Sequence, residues 1–394
     1  MEKSKIEEEL IHSIKNNDEI TKETILKAQG IHFKDIPQEV IQYDDFGFVI
    51  RKNNQEQSNK KYLQFFILYY SKTLTEEEKE KIADKENSRL IKWSDMLNNY
   101  TLYKTKRYNK LKSRTRKGIP NCIRGKVWQL FGNISTLRKN NPTLFTDLKN
   151  RLLQEKILND KEEGVIIRDL HRTFPNHVIF MYKLGEGQRA LYRVLMTYSH
   201  YNTNTGYVQG MGFLTALFLT YMDEESSFWL LHSLMVNYGL EGFFKKDFPD
   251  LRKCLYVLLS LVKKFIPKVY YQLRNKKIYP TMYASQWFFT FFACVFEFDV
   301  LVRIFDCILL EGFKIVYRIA LGIFKLNEDK IVNKNNFEEI MENIRMMTKN
   351  INVDELIKAS FSISFSRKDI KRYEERYEKT KNNKDDEMIK QVDF

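Results

Sequence analysis

The chain has 394 residues, 43% of them hydrophobic and 14% aromatic, which is enough apolar material for one large core or two smaller ones. Its formal charge is +14, and its four cysteines (Cys122, Cys254, Cys294 and Cys307) are widely and irregularly spaced, which argues against a disulfide frame or a zinc site and for reduced thiols. No run of about 18 apolar residues is uninterrupted, Met1-Glu2-Lys3-Ser4-Lys5 lacks the apolar centre of a signal peptide, and neither terminus carries a lipidation signal, so the expectation is a folded cytoplasmic protein whose membrane contact is peripheral.

Residues 1–88 are polar, with Lys, Glu and Asn tracts around short apolar islands such as "YDDFGFVI" and "YLQFFILYY". They read as an extension with local structure. From Lys92-Trp93 onward the pattern becomes helical. Between Tyr103 and Gly118 stand eight bases and no acid, a run suited to nucleic acid, anionic lipid or an acidic protein surface, or simply a solvated helix face. Residues 188–201, "QRALYRVLMTYSHY", put Leu191, Val194, Leu195, Tyr198 and Tyr201 on one face of a predicted amphipathic helix. Asp223 then offers an N-cap and Tyr238-Gly239 a stop, so "EESSFWLLHSLMVNY" reads as the next helix. Comparable helical runs follow in "SQWFFTFFACVF", "DVLVRIFDCILLEG" and "FKIVYRIALGIF". Hairpin signals and period-two stretches are scarce, which makes the domain all-α. From about Arg367 the chain is highly charged and poorly apolar and reads as a helical or disordered tail.

Several chemical signals fail on inspection. "GIPNCIRGKVW" is not a P-loop, because Gly118 and Gly125 are seven apart and Val127 follows Lys126, leaving no hydroxyl for magnesium. "GEG" at 185–187 lacks a preceding strand and reads as a plain loop. His171 and His177 flank an Arg-Thr-Phe-Pro turn without a third ligand, so no metal is expected. Cys122 sits in a basic turn that would lower a thiol pKa, but no thiol-enzyme signature surrounds it.

Two stretches remain. In "IIRDLHRTFP" (166–175), Pro175 disfavours helix at Phe174, so Arg172 sits near a helix end where Asp169, three residues earlier, can hold its guanidinium. By itself that is either a surface ion pair or a prepared cation. In "GYVQG" (206–210), Gln209 stands between glycines that let the backbone approach another molecule, and by itself that is either a capping turn or a presented carboxamide. Together an Arg and a Gln are what phosphoryl transfer needs when another protein holds the nucleotide: one neutralises charge on the γ-phosphoryl oxygens, the other orients the attacking water.

Taken in order, "KWSDML" (92–97), "RKGIPNCIRGKVWQL" (116–130), "IIRDLHRTFP", "GQRALYRVLMTYSHYNTNTGYVQGMGF" (187–213) and "RIFDCILLEG" (303–312) resemble the TBC domain of Rab GTPase-activating proteins over roughly residues 89–330. The resemblance implies an all-α, V-shaped, two-lobed domain, with Arg172 as an arginine finger and Gln209 as a glutamine finger supplied in trans. It also implies that Asp169 positions Arg172, that Arg124 supports the site, and that Thr173, Tyr207 and Gly210 are supporting residues of the same motifs. Val208 departs from the Cys common in the family, Gly212 from Asn, and Phe305 from Trp; neither finger is replaced.

The expected organisation is a polar extension (1–88), a TBC domain (89–350, motif core about 118–314) and a charged tail (351–394). The expected function is activation of a Rab-family small GTPase in its GTP form, in vesicle trafficking, at peripheral sites on endomembranes. No cofactor of its own and no independent catalysis are expected, since GTP and Mg²⁺ belong to the partner. The rivals are a catalytically idle TBC scaffold and a basic nucleic-acid-binding protein, the latter disfavoured because no recognised binding motif accompanies the charge.

Overall fold

The computed structural model describes residue 46 and residues 76–154, 160–183, 185–244, 248–383 and 386–392. Among them the regular elements are helices with no strand, as the period of the apolar residues predicts. The two apolar islands of the extension lie outside the described residues, apart from Phe46. In chain order the main helices are α1 (Glu76–Asn98), α2 (Tyr108–Arg116), α3 (Arg124–Phe131), α4 (Leu144–Gln154), α5 (Asp160–Leu170), α6 (Glu186–Tyr201), α7 (Met211–Leu219) and α8 (Glu224–Asn237). They continue with α9 (Pro249–Phe265), α10 (Pro267–Asn275), α11 (Phe298–Glu311), α12 (Lys314–Leu326), α13 (Val353–Ser362) and α14 (Arg367–Thr380). Among the described residues no helix is long and apolar enough to cross a membrane.

The chain divides into two units, Met1–Trp93 with Asn133–His232 and Ser94–Gly132 with Ser233–Phe394. The first is built around α6, which packs against α4, α5 and α7. Its predicted face is buried through Leu191, Val194, Leu195 and Tyr198, where each large apolar side chain contributes about 1.5–3 kcal/mol. Tyr201, at the helix end, is half-buried and meets Phe228 and Trp229 edge-on. Asp223 caps α8 as expected, its Oδ1 accepting the Ser226 N–H at 2.8 Å, and Gly239 follows with φ 80°.

The second unit packs α11 against α2, α3 and α12. The predicted run "SQWFFTFFACVF" is not one helix there. A helix covers only Ser285–Phe289, and Phe291 and Phe292 take positive φ (47° and 66°), burying both rings in a turn. Of the two readings of the charged segment after residue 351, the described residues take the helical one. Helix α13 packs on α12 and α14 packs on α9, burying Leu356, Ile357, Ile370 and Tyr377, and beyond them Ile389 and Val392. Low apolar content concealed a narrow apolar stripe, which suffices when another helix covers it.

Candidate functional site

Helix α5 ends at Leu170, and the chain leaves it in a tight turn in which the Arg172 N–H donates to Asp169 O at 3.2 Å. Arg172 is therefore just beyond the helix end, as Pro175 predicts. Phe174, before that proline, takes φ 44°, a conformation that costs a non-glycine residue about 1–3 kcal/mol and must be held by its surroundings. Its ring meets Phe213 edge-on, with centroids 5.7 Å apart.

Asp169 organises the turn with three acceptor atoms. Its Oδ1 accepts from Arg172 Nε at 2.8 Å, with Nη2 at 2.7 Å; its Oδ2 accepts from the Tyr207 hydroxyl at 2.5 Å; and its carbonyl accepts from Thr173 Oγ1 at 2.7 Å. With the Gln209 carboxamide oriented oxygen-inward, that oxygen accepts from Arg172 Nη1 at 3.0 Å and Nη2 at 2.7 Å. Asp169, Thr173 and Tyr207 are buried, whereas Arg172 keeps 45% of its side chain exposed and Gln209 is exposed. A fixed polar base thus carries two accessible tips. Burial, and then the hydrogen bond and charge of Asp169, push the Tyr207 phenol well above its usual pKa, against smaller opposing effects of Arg172 and the Gly212 amide. Tyr207 therefore remains a donor throughout the neutral range.

The Gln209 turn is set by its own backbone. Gly206 has φ 61°, and a Cβ there would lie 2.2 Å from Glu162 Oε1; Gly210 has φ 109° and caps α7. Gly206 is thus favoured by its own positive φ and lies against the Glu162 carboxylate, where the sequence had suggested approach by another molecule. Glu162 also accepts from the Ser199 hydroxyl and, at 3.4 Å, from the Tyr207 N–H. Sequence reasoning overlooked Glu162, although its place two helical turns before Asp169 puts both carboxylates on one face of α5. Gly212, where the family often has Asn, lies under the cluster: a Cβ there would stand 3.2 Å from Thr173 Oγ1 and 3.4 Å from the Tyr207 hydroxyl.

The structure brings together Asp169, Arg172, Thr173, Tyr207, Gln209 and Gly210 in the first unit. Arg124 belongs to the second. It is buried, and its Nε donates to Asp306 Oδ1 at 3.1 Å and its Nη2 to Ile119 O at 2.7 Å. Asp306 also accepts from the Trp128 indole at 2.8 Å and the Ile119 N–H at 3.0 Å. Burial pushes the Asp306 pKa up, and Arg124 with the two N–H donors only partly offsets that. Within its unit Arg124 thus braces the 118–121 turn against α11 and presents no free guanidinium. Cys122, just after that turn, is exposed.

The family model described as the Rab-GTPase-TBC domain matches residues 121–332. The chain is 32% identical to human TBC1 domain family member 10B over 266 residues, which is 67% of this chain and 32% of that protein. It is 36% identical to the Rab GTPase-activating protein tbc-11 of Caenorhabditis elegans over 231 residues, 59% of this chain and 24% of that one. The chain thus spans about a third or less of the length of these curated relatives. Among solved structures, the Chlamydomonas flagellar RabGAP TBC domain aligns with a TM-score of 0.59 at 23% identity, over 74% of this chain and 97% of that one. The Ypt/Rab-GAP domain of Gyp1p aligns with the same TM-score at 18% identity, over 74% and 99%. At these identities the structural likeness is one of fold.

Proposed function

The chain belongs to the Rab-GTPase-TBC domain family, and we propose that it accelerates GTP hydrolysis on a Rab-type small GTPase by supplying Arg172 and Gln209 in trans. One observation carries this reading: an exposed guanidinium and an exposed carboxamide, distant in sequence, are held against each other above a buried carboxylate. A simple surface ion pair would need neither the Tyr207 bond nor the Gln209 turn.

Arg172 and Gln209 occupy each other with the atoms they would use on a partner. On engagement, Nη1 and Nη2 leave the Gln209 oxygen for the γ-phosphoryl oxygens, while Asp169 retains Nε and keeps the guanidinium plane oriented. The released carboxamide then has one acceptor and one donor group with which to align water. The nucleotide and Mg²⁺ are the partner's, so this chain has neither a cofactor nor a turnover of its own. Membrane trafficking is the setting, and the exposed bases Lys104, Lys106, Arg107 and Lys110 suit peripheral contact with an anionic membrane.

The test is single-turnover hydrolysis across a panel of GTP-loaded Rab proteins, with the wild-type chain and Arg172→Ala. Acceleration of at least one Rab, lost in the variant, is expected. A chain that binds a Rab but leaves its hydrolysis unchanged would be an idle scaffold, and the proposal would fall.

A further inference from the structure

His177 has no task in the two-finger reading, yet it joins the loop bearing Arg172 to a residue far upstream. The side chain is only 2% exposed. Its Nδ1 accepts the Ile179 N–H at 3.1 Å, which requires that nitrogen to be unprotonated. Nε2 then carries the ring proton and donates it to the Phe46 carbonyl at 2.8 Å. The ring also lies against Phe180, with centroids 5.6 Å apart. The tautomer is therefore set from both sides.

The backbone of His177 is equally engaged. Its N–H donates to Phe174 O at 2.9 Å, and its carbonyl accepts from Phe180 and Met181 at 2.9 and 2.8 Å. Phe180 O in turn accepts from Gln188 Nε2 on α6 at 2.8 Å. The loop is thus anchored by Asp169 on the Arg172 side and by His177 on the other. Between them sits Phe174 at φ 44°, a conformation that persists only where neighbours over-determine it.

We propose that His177 is a positioning residue for Arg172, and that the Phe46 carbonyl is a working part of the finger loop's support, so that the catalytic module includes at least one residue upstream of residue 89. The hydrogen bond to Phe46 holds the far side of the loop; without it the loop has freedom that Arg172 inherits through Phe174. This rests on the reading of Arg172 as a finger, because a surface ion pair would not be sensitive to it.

Two substitutions in the full chain separate the bonds. His177→Asn places a carboxamide oxygen near the Nδ1 position and keeps the acceptor for Ile179, but is too short to reach Phe46. His177→Gln places a donor near the Nε2 position. Each variant is compared with wild type by hydrogen exchange, which needs no Rab, and by single-turnover hydrolysis over a range of chain concentrations on a responsive Rab. For the Asn variant, faster deuterium uptake is expected both in the 171–181 peptide and in the peptide containing Phe46, with α6 unchanged. Its saturating rate should fall on the order of 10-fold, the scale on which slight misplacement of a catalytic group tells, with half-saturation nearly unaltered. The Gln variant should recover both. Unchanged uptake at the Phe46 peptide, a uniform rise that includes α6, a loss expressed only in half-saturation, or no recovery with Gln would each make His177 an ordinary core histidine and overturn the proposal. If the wild-type chain stimulates no Rab, the activator reading fails instead, and the exchange comparison alone decides the brace.

Discussion

Tyr207 donates its hydroxyl to Asp169 Oδ2 at 2.5 Å, and this bond ties the turn bearing Gln209 to the helix end bearing Arg172. It also divides the carboxylate, leaving Oδ1 to the guanidinium. Tyr207→Phe keeps the ring in place and removes only the donor. The buried carboxylate then lacks one partner, and stability should fall by about 1–3 kcal/mol. The stimulated rate should drop roughly 10-fold as the two tips lose their common base. Chemical denaturation and single-turnover assays measure the two effects; a variant with wild-type values in both would mean that the bond is incidental.

Arg172→Lys retains the charge but not the planar fork that serves Asp169 and a phosphoryl group together. The loss of stimulation should be on the order of 10³-fold, with little change in binding to the GTP-loaded Rab. Near-normal turnover by this variant would return Arg172 to the status of a surface ion pair.

If Gln209 orients the attacking water, the partner's own switch glutamine becomes dispensable. A Rab with that glutamine changed to Leu should still respond, and Gln209→Ala should suppress hydrolysis on both forms of the partner. Saturating the Rab with this chain removes differences in binding from the comparison. Full activity of Gln209→Ala with complete resistance of the altered Rab would place water positioning on the GTPase side.

A chain ending at residue 350 should fold poorly, although the sequence places the end of the domain there. It loses α13 and α14 and uncovers the faces of α12 and α9 on which they pack. Leu356, Ile357, Ile370 and Tyr377 are buried there, each worth about 1.5–3 kcal/mol. Thermal unfolding followed by circular dichroism should show a broad or strongly lowered transition; a sharp transition at the full-length temperature would contradict the assignment.

Glu311 supplies a pH signature. Burial pushes its carboxyl upward, but the paired Arg116 bonds, both 2.7 Å, and the charges of Arg116, Lys314 and Lys112 outweigh that and lower its pKa below the usual 4.5. A carboxyl with a depressed folded-state pKa stabilises above its unfolded value and loses that contribution as pH falls through the folded one. Glu311→Gln should therefore destabilise at neutral pH, with the gap to wild type closing below about pH 4.5. A gap that stays constant through the acid range would mean that the loss is packing alone.

What was legible in the sequence was local. The spacing of Leu191, Val194 and Leu195 marked a helix face because a helix repeats on a scale that a short window captures. Arg172 and Asp169 pair within a short window because a spacing of three brings the two side chains together at a helix end. The five ordered motifs carried the family, and with it the expectation that Arg172 and Gln209 are fingers.

Other features depended on packing between distant segments. The contact of Gln209 with Arg172 and that of Tyr207 with Asp169 exist because α5 and α7 pack together and the 202–210 turn returns the chain beside Asp169. Nothing in either short stretch contains that distance. Glu162 became visible only when Gly206 was found pressed against it. The aromatic run at 285–296 gave no warning of its turn, since a segment without a polar face shows no period at which a helix must stop. That helix α14 packs into the core was hidden by its charge: Ile370 and Tyr377 form so thin a stripe that only the covering surface of α9 makes it a core element. Periodicity reports which face of a helix avoids water, but burial requires a second surface, and its identity is a property of the folded chain.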